Sequence, residues 1–257
     1  MRKLVRKIQE SLLFRYYIKY KKIKPRLYKK RQLLFAKKYS MDLYKQGDII
    51  SDTIAHLGYY EYETTELITH LAKKGSVFVD AGANIGYYSL IWANFSPNPS
   101  IYAFEPNPKV LGLLKENLSQ LENSVKYSLF EEALSSEIGT VNFDEGNEDQ
   151  IGWGHVHQGG VHNVSCNTLD NALFSKNETI DLLKVDIEGY EYHLLKGAEQ
   201  LIRSGRIKHI LMEINHDMLH ANGTSESQIL DFLRTNNFRV DKIGDNNIIA
   251  TFYEKRS

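Results

Sequence analysis

Ser76-Val77-Phe78-Val79-Asp80-Ala81-Gly82-Ala83-Asn84-Ile85-Gly86 decides the fold: strand-forming residues end on an acid and pass into a glycine-bearing turn. Val77, Phe78 and Val79 read as a buried strand with Asp80 at its carboxyl end. Gly82, Asn84 and Gly86 shape the turn, and Tyr87 to Ala93 continues as a helix. Strand, tight turn and helix in that order is how an α/β sheet places a small-molecule site at its carboxyl edge.

The same unit recurs downstream. Ser100 to Phe104 reads as a second strand ending at Glu105-Pro106-Asn107-Pro108, and Lys109 to Leu121 as a helix with Val110, Leu111, Leu114 and Leu118 on one side. Val125 to Phe130 is a third strand that runs into Glu131, Glu132, Ala133 and Leu134. Thr179 to Val185 is a fourth, delivering Asp186 and Glu188 to its end, and Tyr190 to Ile202 reads as the helix after it. Ile207 to Ile214 is a fifth, with Glu213 near its tip and His216 beyond. A helix over Ser225 to Thr235 and a hairpin of Phe238 to Ile243 with Ile248 to Tyr253 close the chain. Upstream, residues 41–75 lead in through a helix over Thr65 to Leu71.

Between Ser135 and Asn167 the pattern loosens. Thr140 to Asp144 and Val161 to Asn167 read as short strands around the loop Gly146 to Gly160. His155, His157 and His162 lie near one another, but no Cys or acid stands at ligand spacing, so a substrate-covering loop is expected there rather than a metal site.

The 257 residues are 42% hydrophobic, enough for one sizeable core, and the formal net charge is zero. That neutrality hides an asymmetry. Residues 1–39 hold fifteen Lys or Arg against the single acid Glu10, which leaves seventeen bases and thirty-one acids in the rest. Leu4, Val5, Ile8, Leu12, Leu13, Tyr16, Tyr20 and Ile23 recur at helical spacing among these bases, and Pro25 ends the run. The expected organisation is a basic amphipathic extension, residues 1–40, on a domain spanning 41–257. The extension suits packing on the acidic domain or on a second copy, and next a peripheral contact of residues 1–39 with an anionic membrane. Nucleic acid ranks third, because no RNA-binding signature accompanies the charge. A lone Cys166 and the lack of a long apolar run point to a cytoplasmic protein, with the extension able to hold it at the inner face of a membrane.

A dinucleotide fingerprint needs glycines at its first, third and sixth positions; counting from Gly82, these are Asn84 and Tyr87, so it fails. A P-loop fails too, for want of a following Gly-Lys-Ser/Thr. What remains is an acid at one strand end, a permissive turn, and Glu105 at the next strand end, where a carboxylate can accept from both hydroxyls of a ribose.

VDAGANIGYYSL (Val79 to Leu90), AFEPNP (Ala103 to Pro108) and LLKVDIEGYE (Leu182 to Glu191), with weaker support from GYYE (Gly58 to Glu61) and LMEIN (Leu211 to Asn215), are specific together. On these motifs the chain resembles the FkbM-type S-adenosylmethionine-dependent methyltransferases, a branch of class I methyltransferases, over about residues 50–215. The resemblance implies a Rossmann-like α/β fold: a seven-stranded, mostly parallel sheet flanked by helices, in the order 3-2-1-4-5-7-6 with strand seven antiparallel. It also implies S-adenosyl-L-methionine as cofactor. The turn of Asp80, Gly82, Ala83, Asn84 and Gly86 would hold the methionine part, Glu105 and its neighbour Pro106 the ribose, and Glu132 with Ala133 the edge of the adenine.

Methyl transfer from a sulfonium is an in-line displacement, so positioning carries much of the catalysis. If the acceptor is a hydroxyl, a base helps, and Asp186, Glu188 and Glu213 are the acids at the rim. A carboxylate of ordinary pKa, about 3.9 for aspartate, must take the proton during transfer or work through a divalent metal. Metal-free assistance by Asp186, with Glu188 orienting the acceptor, is the favoured version. Lys184 either neutralises this cluster or forms an internal ion pair, and Glu61 and His216 are candidate substrate contacts. The acceptor implied by the resemblance is a sugar hydroxyl of a polysaccharide, glycolipid or glycosylated metabolite. RNA 2′-O-methylation, small-molecule methylation and a non-enzymatic binding module on a degenerate fold are the alternatives.

Overall fold

The structure, a computed structural model, describes residues 28–121, 125–146, 154–157 and 159–254. In chain order the strands are β1 (Arg31–Gln32), β2 (Ser40–Met41), β3 (Val77–Ala81), β4 (Ser100–Phe104), β5 (Lys126–Phe130), β6 (Ala133–Leu134), β7 (Gly139–Asp144), β8 (His155–Val156), β9 (His162–Asn167), β10 (Leu182–Val185), β11 (His209–Glu213), β12 (Phe238–Ile243) and β13 (Asn247–Phe252). The helices are α1 (Ile49–Leu57), α2 (Tyr62–Ala72), α3 (Tyr87–Phe95), α4 (Pro108–Ser119), α5 (Leu169–Leu173), α6 (Glu191–Lys196), α7 (Glu199–Arg203), α8 (His216–Ala221) and α9 (Glu226–Thr235).

Seven strands form the main sheet in the order β12-β13-β11-β10-β3-β4-β5. β13 runs antiparallel to both neighbours, and the other pairs are parallel. This is the expected 3-2-1-4-5-7-6 order, so the fold is that of a Rossmann-like class I methyltransferase. β3 lies at the centre with all five residues buried, as a strand covered on both faces must be. Phe78 and Leu182 face one layer, where Phe78 stacks on Trp92 of α3 at 4.9 Å, while Val79 and Val185 face the layer of α6, α7 and α9. The Asp181 carboxylate accepts from the N–H groups of Ser76 and Val77 at 2.7 and 3.0 Å, tying the rear ends of β10 and β3.

α4 begins where the motif Glu105-Pro106-Asn107-Pro108 predicts. Asn107 caps it by accepting from the Lys109 N–H, and Pro108, which has no N–H to lose, takes the first turn. The helix expected over Tyr190 to Ile202 is instead split into α6 and α7. A Cβ on Gly197 would lie 2.0 Å from the Ser135 carbonyl oxygen, so the chain passes too close for any other residue. Asp170 then caps the second piece, accepting from Gln200 and Leu201 N–H at 2.8 and 2.9 Å. α1, capped by Asp48, was not expected either.

A separate four-stranded sheet, β6-β9-β7-β8, is built from the loosely patterned segment. β8 pairs with β7 through Val156 opposite Phe143, so part of the expected loop is a strand.

The expected helix over residues 4–23 lies outside the described residues. From Tyr28 onward the basic stretch is packed: Tyr28, Leu33, Ala36, Tyr39 and Met41 are buried in the core layer of α1 to α4. Asn117 of α4 accepts from the Asp42 N–H at 2.9 Å and donates to the carbonyls of Asp42 and Ile85, while Gln120 bridges to Ser40. The seam expected at residue 40 therefore falls inside a packed segment. Among the described residues no helix is long and apolar enough to cross a membrane.

Candidate active site

A cleft enclosing about 1030 Å³, counting the space open at its mouth, lies at the carboxyl ends of β3, β4 and β10. Gly82, Ala83, Asn84, Glu105 and Pro106 form one wall, and Lys184, Asp186, Glu188 and Glu213 the opposite one. Glu132 and Ala133 close one end; Glu132 is held by the Asn167 side-chain amide at 2.9 Å.

The first wall is fixed by backbone. Gly82 and Ala83 N–H both donate to the Phe104 carbonyl at 3.0 Å, which pins the turn to the end of β4. Gly82 has φ +76, and a Cβ there would meet the Asp186 carbonyl oxygen at 1.9 Å, so only glycine lets the two strand ends touch. Glu105, 6% exposed, accepts from Asn84 N–H at 2.8 Å and Asn107 N–H at 2.9 Å, one on each oxygen. Burial pushes its pKa up to about 7 despite these two donors. Each oxygen keeps a lone pair for a ligand hydroxyl.

Asp80 stands behind this wall rather than on it. It is 1% exposed and takes a hydrogen bond from the Ser89 hydroxyl at 2.7 Å, while its other oxygen, Oδ1, has no hydrogen-bond partner and lies 3.8 Å from Lys184 Nζ. The β3–β10 register places Asp80 directly opposite Lys184, so the two side chains emerge together on the α3 face. Gly86 also stays outside the lining; with φ +89 it begins α3.

The Lys184 ammonium reaches Asp186 Oδ2 at 3.1 Å and the Gly82 carbonyl at 3.3 Å, and sits 5.1 Å from the centre of the Tyr88 ring. Burial opposes its charge, but Asp186 and Asp80 outweigh that and raise its pKa. Lys184 therefore forms an internal ion pair, one of the two roles left open by the sequence. Glu213 is pushed up to about 8, by burial first and then by Asp186, Glu61 and Glu188. Glu188 and Glu61 are raised for the same first two reasons.

Glu61 does not line the cleft. It acts at one remove, accepting from the Tyr88 hydroxyl at 2.6 Å. His216 is not brought to the cleft at all: Asn215 caps α8, and the His216 side chain, 70% exposed, turns outward toward Glu226 at 3.8 Å. Glu131 likewise points away, to Lys115 at 2.6 Å.

Several lining residues escaped the sequence reading: Tyr60, Tyr87, Tyr88, Tyr190 and Phe143. The expected covering loop contributes Gly154, His155 and Val156. Tyr60 follows Tyr59 in the GYYE motif, and that adjacency to Glu61 was the available signal. Another signal is visible only in the backbone: Glu61, Asn84 and Glu188 adopt left-handed φ of 36, 50 and 51°, a strained choice for non-glycine residues that gathers at functional sites. Among the described residues, no group of three His, Cys, Asp or Glu side chains is arranged to hold a metal ion. His162 pairs with Glu145 at 3.4 Å, away from His155 and His157, whose rings are 5.8 Å apart.

The sheet order and the cleft at its carboxyl edge define a class I methyltransferase architecture. The family model for the methyltransferase FkbM domain matches residues 80–240, and the chain belongs to that family. It is 26% identical over 156 residues to 2-O-methyltransferase NoeI of Sinorhizobium fredii, covering 53% of this chain and 62% of the relative. It is 27% identical over 129 residues to hexuronic acid methyltransferase AglP of Haloferax volcanii, covering 47% and 49%. The chain thus spans about half to three-fifths of the length of these curated relatives. A solved FkbM methyltransferase from Methylobacillus flagellatus superposes with a TM-score of 0.49 at 12% identity, covering 85% of this chain and 57% of that one.

Proposed function

We propose that this chain is an S-adenosyl-L-methionine-dependent O-methyltransferase that modifies a sugar hydroxyl. The observation that carries the reading is the two-walled cleft: a glycine turn and a half-satisfied Glu105 on one side, a carboxylate rim on the other. The donor set fits the cofactor. Asp80 keeps a buried oxygen without a hydrogen-bond partner, which an ammonium group reached through water would satisfy, and Glu105 retains acceptor capacity for ribose. Gly82, Ala83 and Asn84 would hold the methionine part, and Glu132 and Ala133 the adenine edge. When bound, the cofactor supplies an activated methyl group.

The chain's own residues do the rest. Lys184 holds the Asp186 carboxylate at the rim, where it accepts the hydroxyl proton of the acceptor as the new bond forms. Glu188, steadied by Asn215 at 3.4 Å, orients the acceptor. Glu213, protonated at neutral pH, can donate a hydrogen bond instead of competing for the proton. The sugar assignment is supported by family membership and by the two curated relatives, whose names specify 2-O-methylation and a hexuronic acid. Mass spectrometry of glycans from a deletion strain is expected to show one methyl group missing. Unchanged glycans, or failure of the purified chain to bind S-adenosylmethionine in calorimetry, would refute the proposal.

A further inference from the structure

The acceptor half of the cleft is electrostatically one-sided. Asp186, Glu188 and Glu213 line it, and Glu61 stands just behind Tyr88. Tyr60, next to Glu61 in the chain, also lines this wall. No arginine lines the cleft among the described residues, and the one lysine there is already engaged: Lys184 spends its ammonium on Asp186, the Gly82 carbonyl and Asp80, within 3.1 to 3.8 Å. His155 also lines the cleft, and its proximity lowers the Glu188 pKa in part against burial.

We infer that this wall selects an acceptor ring that is uncharged or carries an amino group, and rejects one that carries a carboxylate, with Glu188 as the selecting residue. The inference rests on the sugar O-methyltransferase reading and narrows it. A uronate would bring another anion against the rim with no free cation among the described residues to receive it, and like charges brought together without a partner are strongly disfavoured. The Haloferax volcanii relative, by its name, modifies a hexuronic acid, so this chain would differ from it in acceptor charge.

The test uses the full chain saturated with S-adenosylhomocysteine, and three probes followed by saturation-transfer NMR: methyl glucoside, methyl glucosaminide and methyl glucuronide. The neutral or amino probe is expected to bind at least about tenfold more tightly than the glucuronide. The variant Glu188→Gln is expected to narrow that gap at least threefold (about 0.6 kcal/mol), while retained S-adenosylhomocysteine binding shows that it is folded. Equal or tighter binding of the glucuronide overturns the inference, as does a gap that the Glu188→Gln variant leaves intact or binding of none of the probes. Loss of S-adenosylhomocysteine binding in the unaltered chain would instead strike the parent reading.

Discussion

The two walls of the cleft are assembled by different means. Gly82, Ala83, Asn84, Glu105 and Pro106 come from two neighbouring strand ends and are locked by main-chain hydrogen bonds across β3 and β4. Tyr60, Lys184, Asp186, Glu188, Glu213 and His155 come from segments scattered along the chain, brought together by the packing of α2, β8, β10 and β11. A wall made of contiguous backbone tolerates little change and serves one ligand. A wall made of separate side chains can be rewritten residue by residue, so relatives can share a donor and differ in acceptor.

The comparison yields predictions of decreasing size. Asp186→Asn alters only the scattered wall, so turnover is expected to fall by about 10² to 10⁴ while S-adenosylhomocysteine affinity stays within a few-fold; equal loss of both in calorimetry and rate assays would merge the walls into one unit. Gly82→Ala strikes the point where they touch, 1.9 Å from the Asp186 carbonyl, and should cost about 3 kcal/mol in urea unfolding and abolish cofactor binding. Glu105→Ala removes acceptors from the backbone-built wall and should weaken S-adenosylhomocysteine by about 10- to 100-fold; a rate defect at saturating cofactor would contradict that division.

A smaller effect concerns Glu191, buried behind the scattered wall with one oxygen on the Gly189 N–H and the other without a partner. Burial raises its pKa from 4.5 to about 7. The folded state therefore binds the proton more tightly than the unfolded state, and its contribution to stability declines as pH rises from about 4.5 to about 7, then levels off. Glu191→Gln should match the parent near pH 5 and exceed it by about 1 to 2 kcal/mol at pH 8 in urea titrations; parallel pH profiles would refute this. Last, because Lys184 already pairs with Asp186, EDTA is expected to leave turnover unchanged. Loss of turnover that returns with added divalent ion would show that a metal assists.

What the sequence disclosed follows the same division. VDAGANIG and AFEPNP disclosed the strand ends, the turn and Glu105, because each depends on local backbone requirements that residue types announce, whereas the strand order came only through the family resemblance. Glu213 and Asp186 were found as strand-end acids. The placement of Tyr60 in the cleft, the strand at His155 and the outward turn of His216 depend on contacts between distant segments, and residue type alone does not encode those. The break at Gly197 was missed for the same reason: the obstacle is the Ser135 carbonyl, sixty-two positions earlier in the chain.

The docked segment around Tyr28 to Met41 has a consequence in time. Its hydrogen bonds to Asn117 and Gln120 join positions 75 and 80 residues apart. At about 5 to 20 residues per second on the ribosome, its partners emerge roughly 4 to 16 seconds later. Until then the Ser40 and Asp42 N–H groups lack these side-chain partners, so this stretch, which can meet α1 earlier, completes its docking only after α4 is made.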